Sequence, residues 1–333
     1  MIDQTGQRVL VTGGAGYIGS HCTKRLEEKG YQVVVYDDLS EGHREMVLGQ
    51  DFVQGDLGDY DRLTETFEGL DIDAVMHFAA FCRVGESMEE PQKYYHNNVE
   101  NGLKLLAAMR EAAVKKIIFS SSAAVYGAPR EVPISEEHPK DPTNPYGRTK
   151  LFFERILADY APAYGLRCRS LRYFNAAGAD PEGEIGERHR PESHLIPLVL
   201  EVALGEREEI EIFGTDYETR DGTCVRDFIH VNDLAEAHIL ALEALENGEE
   251  GHHRAYNLGI GQGYSVREVI ESCRRVTGRE IKAVEGERRA GDPPELIADP
   301  GRANKELNWQ PQFRELDDIV RTAWEWHKKE AGL

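Results

Sequence analysis

The stretch VTGGAGYIG at residues 11–19 decides the fold. Its glycines Gly13, Gly16 and Gly19 follow the apolar run 8–12 directly and precede apolar residues at helical spacing. Glycines permit a tight strand-to-helix turn and let backbone N–H groups approach phosphate oxygens, whose charge the helix N-terminus favours. The spacing in this context therefore predicts a dinucleotide-binding unit, with a glycine turn that binds no ligand as the alternative.

The first 175 residues alternate apolar, β-branched runs with helical patterns, which is typical of βαβ units and a parallel sheet. A long helix is predicted over residues 91–113, and another follows residue 146. Strands are predicted at 8–12, 33–36, 51–54, 74–78, 116–120 and 169–172. This pattern predicts an α/β fold with a Rossmann-type doubly wound parallel sheet.

After residue 175 the chain is rich in Gly, Pro, Glu and Asp, and its one clear early helix is at 195–204. A strand at 227–231 and a helix at 233–246 are predicted to rejoin the first domain. Amphipathic helices are predicted at 265–277 and 315–329. We expect a Rossmann domain of residues 1–175 plus about 226–260, and a smaller α/β substrate-binding domain of residues 176–225 plus about 261–333.

Composition narrows the class of protein. The chain has 333 residues and a formal net charge of −21, which disfavours nucleic acid and anionic membranes as partners. An ordinary soluble surface explains this charge, and adaptation to high salt is the alternative. The chain has no apolar run of about 18 residues and no signal-peptide pattern. Its five cysteines form no C-x-x-C pair, so we expect reduced thiols, a cytoplasmic location and no metal site.

The cofactor is predicted from Asp37, at the end of the second strand. A carboxylate there accepts hydrogen bonds from the adenosine ribose and repels a 2′-phosphate, which favours NAD over NADP. Asp56, after the third strand, is a candidate for the adenine end of the site.

The candidate catalytic residues are Tyr146, Lys150 and Ser122. Tyr146 and Lys150 are four residues apart at the start of a predicted helix, so they share one face. A nearby ammonium favours the phenolate form of tyrosine, which can then accept a hydroxyl proton. A tyrosine–lysine pair is common on surface helices, and Ser122 can equally cap a turn. Their joint occurrence beside the carboxyl end of the fifth strand favours catalysis.

Residues 12–19, 77–80 and 120–127, with Tyr146 and Lys150, resemble the extended short-chain dehydrogenase/reductases. Stretches at 84–87, 94–99, 172–175, 225–231 and 288–292 narrow the resemblance to NAD-dependent 4-epimerases of nucleotide sugars, from about residue 8 to 310. It implies interconversion of UDP-glucose and UDP-galactose through a transient 4-keto sugar, with NAD that stays bound. It also implies a homodimer, for which the helices at 91–113 and 146–163 are candidates.

The same resemblance implies residue roles, position by position. Tyr146 takes the O4 proton of the sugar, with Lys150 and Ser122 beside it. The implied NAD-binding residues are Gly13, Gly16, Tyr17, Ile18, Gly19, Asp37, Asp38, Asp56, Leu57, Phe78, Ala79, Ala80, Asn97, Ser120, Tyr146, Lys150 and Tyr173. The implied substrate-binding residues are Ser122, Tyr146, Asn175, His194, Leu195, Glu211, Ile212, Phe213, Arg226, Arg289 and Asp292.

Some of these positions have simpler interpretations. Asp292 precedes Pro293 and can form an ordinary turn. Arg226 and Asp227 can form a structural ion pair, and His194 can act through its backbone as readily as through its ring.

Three positions bear on specificity. Ala124 stands where related dehydratases and decarboxylating synthases have a glutamate, which disfavours elimination chemistry. Cys82 stands where many family members have a lysine near the cofactor phosphates, with Arg83 as a possible substitute. By the same resemblance, Leu296 falls at the wall of the sugar pocket. Because leucine is intermediate in size, this position does not decide whether a sugar with an N-acetyl group at C2 is accepted. The alternatives are therefore a 4-epimerase of a UDP-N-acetylhexosamine or UDP-pentose, and a catalytically silent NAD-binding regulatory protein.

Overall fold

The structure is a computed structural model that describes residues 6–246, 251–289 and 291–333. Ala290, part of the motif at 288–292, lies outside the described residues. In chain order the strands are β1 (Arg8–Thr12), β2 (Gln32–Asp37), β3 (Asp51–Gln54), β4 (Ala74–His77), β5 (Lys116–Ser122), β6 (Arg167–Tyr173), β7 (Asn175–Ala177), β8 (Ile210–Phe213), β9 (Val225–His230), β10 (His253–Leu258), β11 (Gly263–Ser265), β12 (Ala283–Gly286) and β13 (Glu295–Leu296).

The α-helices are α1 (Tyr17–Glu28), α2 (Tyr60–Gly69), α3 (Val84–Glu89), α4 (Pro91–Tyr95), α5 (Gly102–Glu111), α6 (Pro145–Tyr164), α7 (Leu195–Leu204), α8 (Val231–Glu246), α9 (Val266–Thr277), α10 (Gly301–Glu306) and α11 (Leu316–Glu330). Short 3₁₀ turns lie at Arg44–Met46 and Ala123–Val125, and a π-helical turn lies at His96–Asn101. In the described residues, no helix combines the length and the apolar character that a membrane crossing requires.

The chain divides into two compact units. Unit 1 comprises Met1–Gly127, Pro139–Arg172 and Ala235–Tyr256, and unit 2 comprises Ala128–His138, Tyr173–Leu234 and Asn257–Leu333. Unlike the predicted domains, these units place residues 128–138 and 226–234 in unit 2. The assignment of NAD and substrate binding to separate domains stays a prediction.

A seven-stranded sheet organises unit 1, in the order β10-β6-β5-β4-β1-β2-β3. β1 pairs in parallel with β2 and β4, while β2 pairs in parallel with β3 and β4 with β5. The central strands are apolar on both faces. Leu10, Val34, Val75 and Ile117 pair in register and are fully buried in one core cluster on one face. The next residues along these strands, whose side chains point to the other face, are also fully buried: Val11, Val35, Met76 and Ile118. Such two-sided burial is typical of a parallel sheet covered by helices, and the predicted fold class is confirmed.

Unit 2 contains two smaller sheets. In one, β9 pairs antiparallel with β11 and parallel with β7 and β13; in the other, β8 pairs in parallel with β12. Helices α7, α9 and α11 contribute Val199, Val269 and Ile319 to the core of this unit.

Two expectations about individual elements are wrong. The strand predicted at 227–231 forms as β9 but joins the sheet of unit 2, and the seventh strand of the large sheet is β10. The continuous helix predicted over 91–113 is interrupted by the π-helical turn between α4 and α5. The spacing of hydrophobic residues does not reveal a π-helical turn, because the residues on either side of one wider turn keep their amphipathic pattern.

Candidate active site

The loop between β1 and α1 is built from glycines in close contact. Gly13 has φ of +74°, and a Cβ atom there would lie 2.5 Å from the backbone nitrogen of Ala79. At Gly19 a Cβ would lie 2.2 Å from the carbonyl oxygen of Gly13. The predicted tight turn is therefore present, and it has no space for a side chain at Gly13 or Gly19. Since the first N–H groups of a helix have no intrahelical acceptor, the start of α1 offers donors to an anion.

Asp37 ends β2 and is buried. One oxygen, Oδ2, accepts a hydrogen bond from the backbone nitrogen of Ala15 at 3.0 Å, and Oδ1 accepts one from Leu39 at 2.9 Å. Burial raises the pKa of Asp37, and the two backbone hydrogen bonds oppose this shift. The carboxyl group is thus fixed against the glycine loop, in the arrangement expected of a ribose acceptor.

The start of helix α6 is fixed by its sequence. Asn144 caps it by accepting a hydrogen bond from the backbone nitrogen of Gly147 at 2.8 Å, and Pro145 occupies the first turn. Both features favour a helix beginning here, because proline has no N–H to lose at that position. Tyr146 and Lys150 therefore lie in the first two turns of α6.

The structure brings Tyr146 and Lys150 together. Both side chains are buried, and the Lys150 Nζ lies 5.8 Å from the centroid of the Tyr146 ring. It also donates a hydrogen bond to the carbonyl oxygen of Ser120 at 2.7 Å. Burial lowers the pKa of Lys150 to about 8, and the neighbouring carboxylate of Glu154 opposes this shift. A lysine so placed is a cation next to a tyrosine in a site with little water.

Asn98 supports this helix from the π-helical turn. Its Nδ2 donates to the hydroxyl of Thr149 at 3.2 Å and to the carbonyl oxygen of Phe81 at 2.9 Å, while its Oδ1 accepts from the Phe81 backbone nitrogen. Asn97, a predicted cofactor residue, donates to Asn98 Oδ1 at 3.0 Å. Asn98 therefore ties the segment after β4 to α6.

Glu154 lies one turn beyond Lys150 on the same helix and forms a buried ion pair with Arg172. Only 4% of each side chain is exposed, and Arg172 Nε donates to Glu154 Oε1 at 2.8 Å. Ser121 donates to the same oxygen, and Arg172 donates to the hydroxyl of Tyr126 at 2.9 Å. Burial raises the pKa of Glu154, but Arg172 outweighs burial and holds it below its usual value.

Ser122 is the last residue of β5, and its hydroxyl accepts a hydrogen bond from the backbone nitrogen of Ala124 at 3.1 Å. The hydroxyl thus caps the 3₁₀ turn at Ala123–Val125. Capping was one of its two predicted roles. Because the oxygen acts as an acceptor in this contact, the contact itself does not use the hydroxyl proton.

The remaining predicted cofactor residues of unit 1 lie at the carboxyl ends of the parallel strands. Asp38 accepts from the backbone and hydroxyl of Ser40, and Asp56 accepts from the Gly58 backbone nitrogen at 2.7 Å. Leu57 is buried after β3, while Phe78, Ala79 and Ala80 follow β4 and are partly buried. Tyr17 and Ile18 begin α1. Cys82 is exposed, and Arg83 forms an ion pair with Glu41.

The predicted substrate residues of unit 2 form two contacts among themselves. Arg289 stacks over the Phe213 ring at 3.8 Å from its centroid. Arg226 donates to Asp292 Oδ1 at 3.0 Å and forms its ion pair with this residue. The alternative prediction, an ion pair of Arg226 with Asp227, is therefore wrong. Asp227 is instead buried and accepts from the backbone nitrogens of Ile260, Gly261 and Ala298.

Other predicted residues of unit 2 are placed by secondary structure. His194 precedes α7, whose first residue is Leu195, and the side chain of His194 is half exposed. Glu211 and Ile212 lie on β8, with Ile212 buried, and Asn175 begins β7. Tyr173 ends β6. Leu296 on β13 pairs in register with Arg226 on β9.

A family model described as the NAD dependent epimerase/dehydratase family matches residues 9–259. The chain belongs to this family. A UDP-glucose 4-epimerase of Halalkalibacterium halodurans is 53% identical over 321 residues, which cover 96% of each chain.

Solved structures agree with this membership of the epimerase/dehydratase family. A UDP-glucose 4-epimerase from Brucella ovis in complex with NAD is 53% identical, with a TM-score of 0.93 over 96% of this chain and 98% of that one. A UDP-glucose 4-epimerase from Bifidobacterium longum in complex with NAD⁺ and UDP is 41% identical, with a TM-score of 0.93 over 98% and 99% of the two chains.

Three supporting residues of this epimerase-family site were given no role from the sequence. Glu154 lies four residues after Lys150, so helical spacing places it on the same face. Its partner Arg172 gave no such signal, because it is one of three arginines in β6. Asn98 gave no comparable signal, because its partners depend on the unpredicted π-helical turn.

Proposed function

We propose that this protein is a UDP-glucose 4-epimerase that interconverts UDP-glucose and UDP-galactose with tightly bound NAD. The observation that carries the proposal is the buried pair of Tyr146 and Lys150, held beside β5 by the hydrogen bond from Lys150 to Ser120. Three relatives named UDP-glucose 4-epimerase support the proposal, with 50–53% sequence identity over 96% of this chain.

Unit 1 fits NAD at both ends of its glycine loop. The backbone of Ala79 excludes a side chain at Gly13, and the resulting tight turn leads directly into the first turn of α1, whose N–H groups can bind a pyrophosphate. Asp37 keeps carboxylate lone pairs for ribose hydroxyl groups and repels a 2′-phosphate. When bound, NAD supplies a reversible acceptor for the hydrogen of sugar carbon 4.

In this proposal the chain's own residues move one proton. Tyr146 accepts the proton of the sugar O4 hydroxyl and later returns it. Lys150 stabilises the phenolate by its charge, which burial makes more effective than it is in water. Ser122 donates a hydrogen bond to the same sugar oxygen, and its acceptor contact with Ala124 orients the hydroxyl.

We assign the uridine diphosphate to unit 2. Arg226 and Arg289 bind phosphate and ribose oxygens, because a planar guanidinium pairs well with them. Asp292 and Phe213 hold these two arginines in place. Asn175, His194 and Leu195 line the diphosphate and uridine, while Glu211 and Ile212 bind the uracil with Phe213.

Elimination chemistry and a larger sugar are the competing possibilities. Ala124 supplies no carboxylate beside Ser122, so the chain lacks at that position the base that a dehydratase needs to remove the C5 proton. Leu296 is intermediate in size, and a UDP-glucose/N-acetylglucosamine 4-epimerase from Campylobacter jejuni is 41% identical to this chain. UDP-N-acetylgalactosamine is therefore the second substrate to compare.

A homodimer through α4, α5 and α6 is part of the proposal. The apolar side chains of Leu103 on α5 and Phe152 on α6 are 36% and 40% exposed, and Phe152 lies beside the Tyr95 ring. Paired helices from two chains would cover them. A cytoplasmic location is supported by the cysteines, all five of which are free thiols.

The experiment is to mix purified protein with UDP-galactose and measure UDP-glucose without added cofactor. Wild type converts the substrate, and Tyr146→Phe loses activity by about 10²–10⁴-fold, because the proton acceptor is gone. Tyr164→Phe, on the exposed last turn of the same helix, retains full activity and is the matched control. No conversion by wild type, or full activity of Tyr146→Phe, would refute the proposal.

A further inference from the structure

Four side chains of unit 2 converge in the segment that precedes α7. Glu187, His189, Glu192 and His194 each offer one ligand atom, and these atoms all lie within 4.8 Å of one another. All four come from a stretch of eight residues with the spacing E-x-H-x-x-E-x-H. Two imidazoles and two carboxylates in one place are a typical donor set for a transition-metal ion.

The nitrogen–oxygen distances within this cluster are close to those between ligands of one small ion. His194 Nδ1 lies 2.8 Å from Glu187 Oε1 and 3.1 Å from Glu192 Oε1. His189 Nδ1 lies 3.2 Å from Glu187 Oε1 and 3.5 Å from Glu192 Oε2. Nitrogen and oxygen ligands about 2.0–2.1 Å from a tetrahedral zinc ion are about 3.3–3.4 Å from one another. Small side-chain movements would therefore bring one atom of each residue to a common metal ion.

Glu187 faces both histidines of the cluster, whose Nδ1 atoms lie 2.8 and 3.2 Å from its Oε1. Its side chain is 5% exposed, and its Oε1 is buried without a hydrogen-bond partner. The 2.8 Å contact with His194 is thus an ion-pair distance that lacks hydrogen-bond alignment. A buried carboxylate oxygen is costly unless it is hydrogen-bonded or coordinates a cation. This oxygen is directed into the cluster, where a metal ion would satisfy it.

The segment is held in place by α11. Trp326 Nε1 donates a hydrogen bond to the carbonyl oxygen of Glu187 at 3.0 Å. A Cβ on the neighbouring Gly186 would lie 2.4 Å from the Trp326 ring, so this loop packs closely on the tryptophan. Arg188 forms an ion pair with Glu330 on the same helix. The backbone of the first ligand is therefore fixed independently of any ion.

We propose that Glu187, His189, Glu192 and His194 bind one Zn²⁺ ion. Two carboxylates neutralise the two charges of the ion, and imidazole nitrogens favour zinc over magnesium or calcium. Four protein ligands leave no open position for water, so the ion is structural and fixes the segment that leads into α7. This site lies outside the proposed epimerase chemistry. It assigns the ring of His194 to the metal and leaves its backbone for substrate.

No metal site is expected from the cysteines, because none of them form a C-x-x-C pair. The spacing that identifies this cluster uses histidine and glutamate, and its meaning depends on a loop that folds back on itself within eight residues.

The test measures zinc on the full-length protein. Protein isolated without chelator is expected to contain about one zinc per chain by mass spectrometry of the metal. After chelation, zinc is titrated against a coloured chelator, and Co²⁺ gives the visible absorption of a tetrahedral site. Removing a ligand in His189→Ala or Glu192→Gln should weaken zinc binding by more than about 100-fold, since loss of an outer-shell partner already costs 10–100-fold.

The matched control is His96→Ala. It removes an exposed histidine that forms a 2.9 Å ion pair with Glu100, and neither residue is one of the four proposed zinc ligands. It should bind zinc as wild type does. Zinc at a hundredfold excess over its dissociation constant should raise the melting temperature of wild type and His96→Ala by roughly 3–5 °C, and Mg²⁺ should not.

Absence of zinc binding by the wild-type chain would overturn the proposal, as would unchanged affinity in both ligand variants. The wild-type titration decides the first point even if a ligand variant fails to fold. Because the readout is metal content and melting temperature, failure of the epimerase assay leaves this result unaffected.

Discussion

The two groups of proposed functional residues are held in different ways. In unit 1, Tyr146 and Lys150 are buried on α6, and the neighbouring Glu154–Arg172 pair is only 4% exposed. In unit 2, the Arg226–Asp292 pair has side-chain exposures of 13% and 35%. Both pairs are arginine–carboxylate ion pairs, but one lies within a core and the other is partly exposed to solvent.

This difference separates positioning from recognition. A buried ion pair cannot lose one partner without leaving an uncompensated charge, so it fixes the structure around it. A partly exposed pair contributes little to stability and can exchange its partner for a ligand. We therefore expect substitutions on α6 to act on stability and proton transfer, and those at the unit 2 arginines to act on substrate affinity.

The largest effect on stability is expected for Glu154→Gln. It leaves Arg172 buried without its carboxylate, which should lower the unfolding free energy by about 3–5 kcal/mol in denaturant titrations. Because the pKa of Glu154 is held below its usual value, the carboxylate stabilises the fold above its unfolded-state pKa. That contribution is lost as pH falls through the folded-state pKa.

The control for Glu154→Gln is Glu65→Gln, which breaks an exposed ion pair with Arg62 and should cost less than about 1 kcal/mol. Equal effects of the two substitutions would remove the distinction between the buried and exposed pairs.

A smaller, pH-dependent effect is expected for Lys150→Met. The folded-state pKa of Lys150 is about 8, below the ordinary 10.5, so the unfolded chain holds this proton more tightly. The free energy of unfolding of the wild type should therefore increase between about pH 8 and pH 10.5, by up to about 3 kcal/mol, as Lys150 loses its proton. In cofactor-depleted protein, Lys150→Met should be about 1–3 kcal/mol more stable than wild type at neutral pH, and this difference should shrink by pH 10.

Activity of Lys150→Met should be lost even where its stability is higher, because Tyr146 no longer has its cation. Lys305→Met, an exposed lysine on α10, should show no such pH-dependent difference. A Lys150→Met protein less stable than wild type throughout this pH range would contradict the argument from burial.

The smallest effect on stability is expected for Arg226→Ala, with a change in unfolding free energy below about 1 kcal/mol. Its effect should be on binding: KM for UDP-galactose rises about 10–100-fold with little change in kcat. Charged hydrogen bonds are worth about 1.5–3 kcal/mol, and this interaction is made equally in ground and transition states. Arg267→Ala, which breaks an exposed ion pair with Glu285, should leave KM unchanged. A large fall in kcat for Arg226→Ala would place this residue in catalysis.

The same difference explains how far the sequence could be interpreted. The glycine loop, Asp37 and the Tyr146–Lys150 pair each depend on local spacing, which one strand or helix converts directly into geometry. Arg226 and Asp292 are 66 residues apart, and no local pattern joins them. They were assigned through resemblance alone, and the structure pairs Arg226 with Asp292 and not with Asp227, the partner that the alternative interpretation gave it.

Non-local pairing also explains the errors in the fold. The strand at 225–230 was found, but its hydrophobic pattern does not say which sheet it joins. β10 was missed because its edge position is decided by pairing with β6. The π-helical turn and the histidine–glutamate cluster depend on backbone geometry that period and composition do not encode.

The most direct measurement is epimerisation of UDP-galactose deuterated at C4, by wild-type protein with no cofactor added. If the chain is a 4-epimerase that keeps its NAD, UDP-glucose forms and retains the deuterium at C4, in solution with or without unlabelled NADH. Formation of UDP-glucose that has lost the label to solvent or to NADH would contradict the proposal, and so would a requirement for added NAD by protein that already carries one per chain.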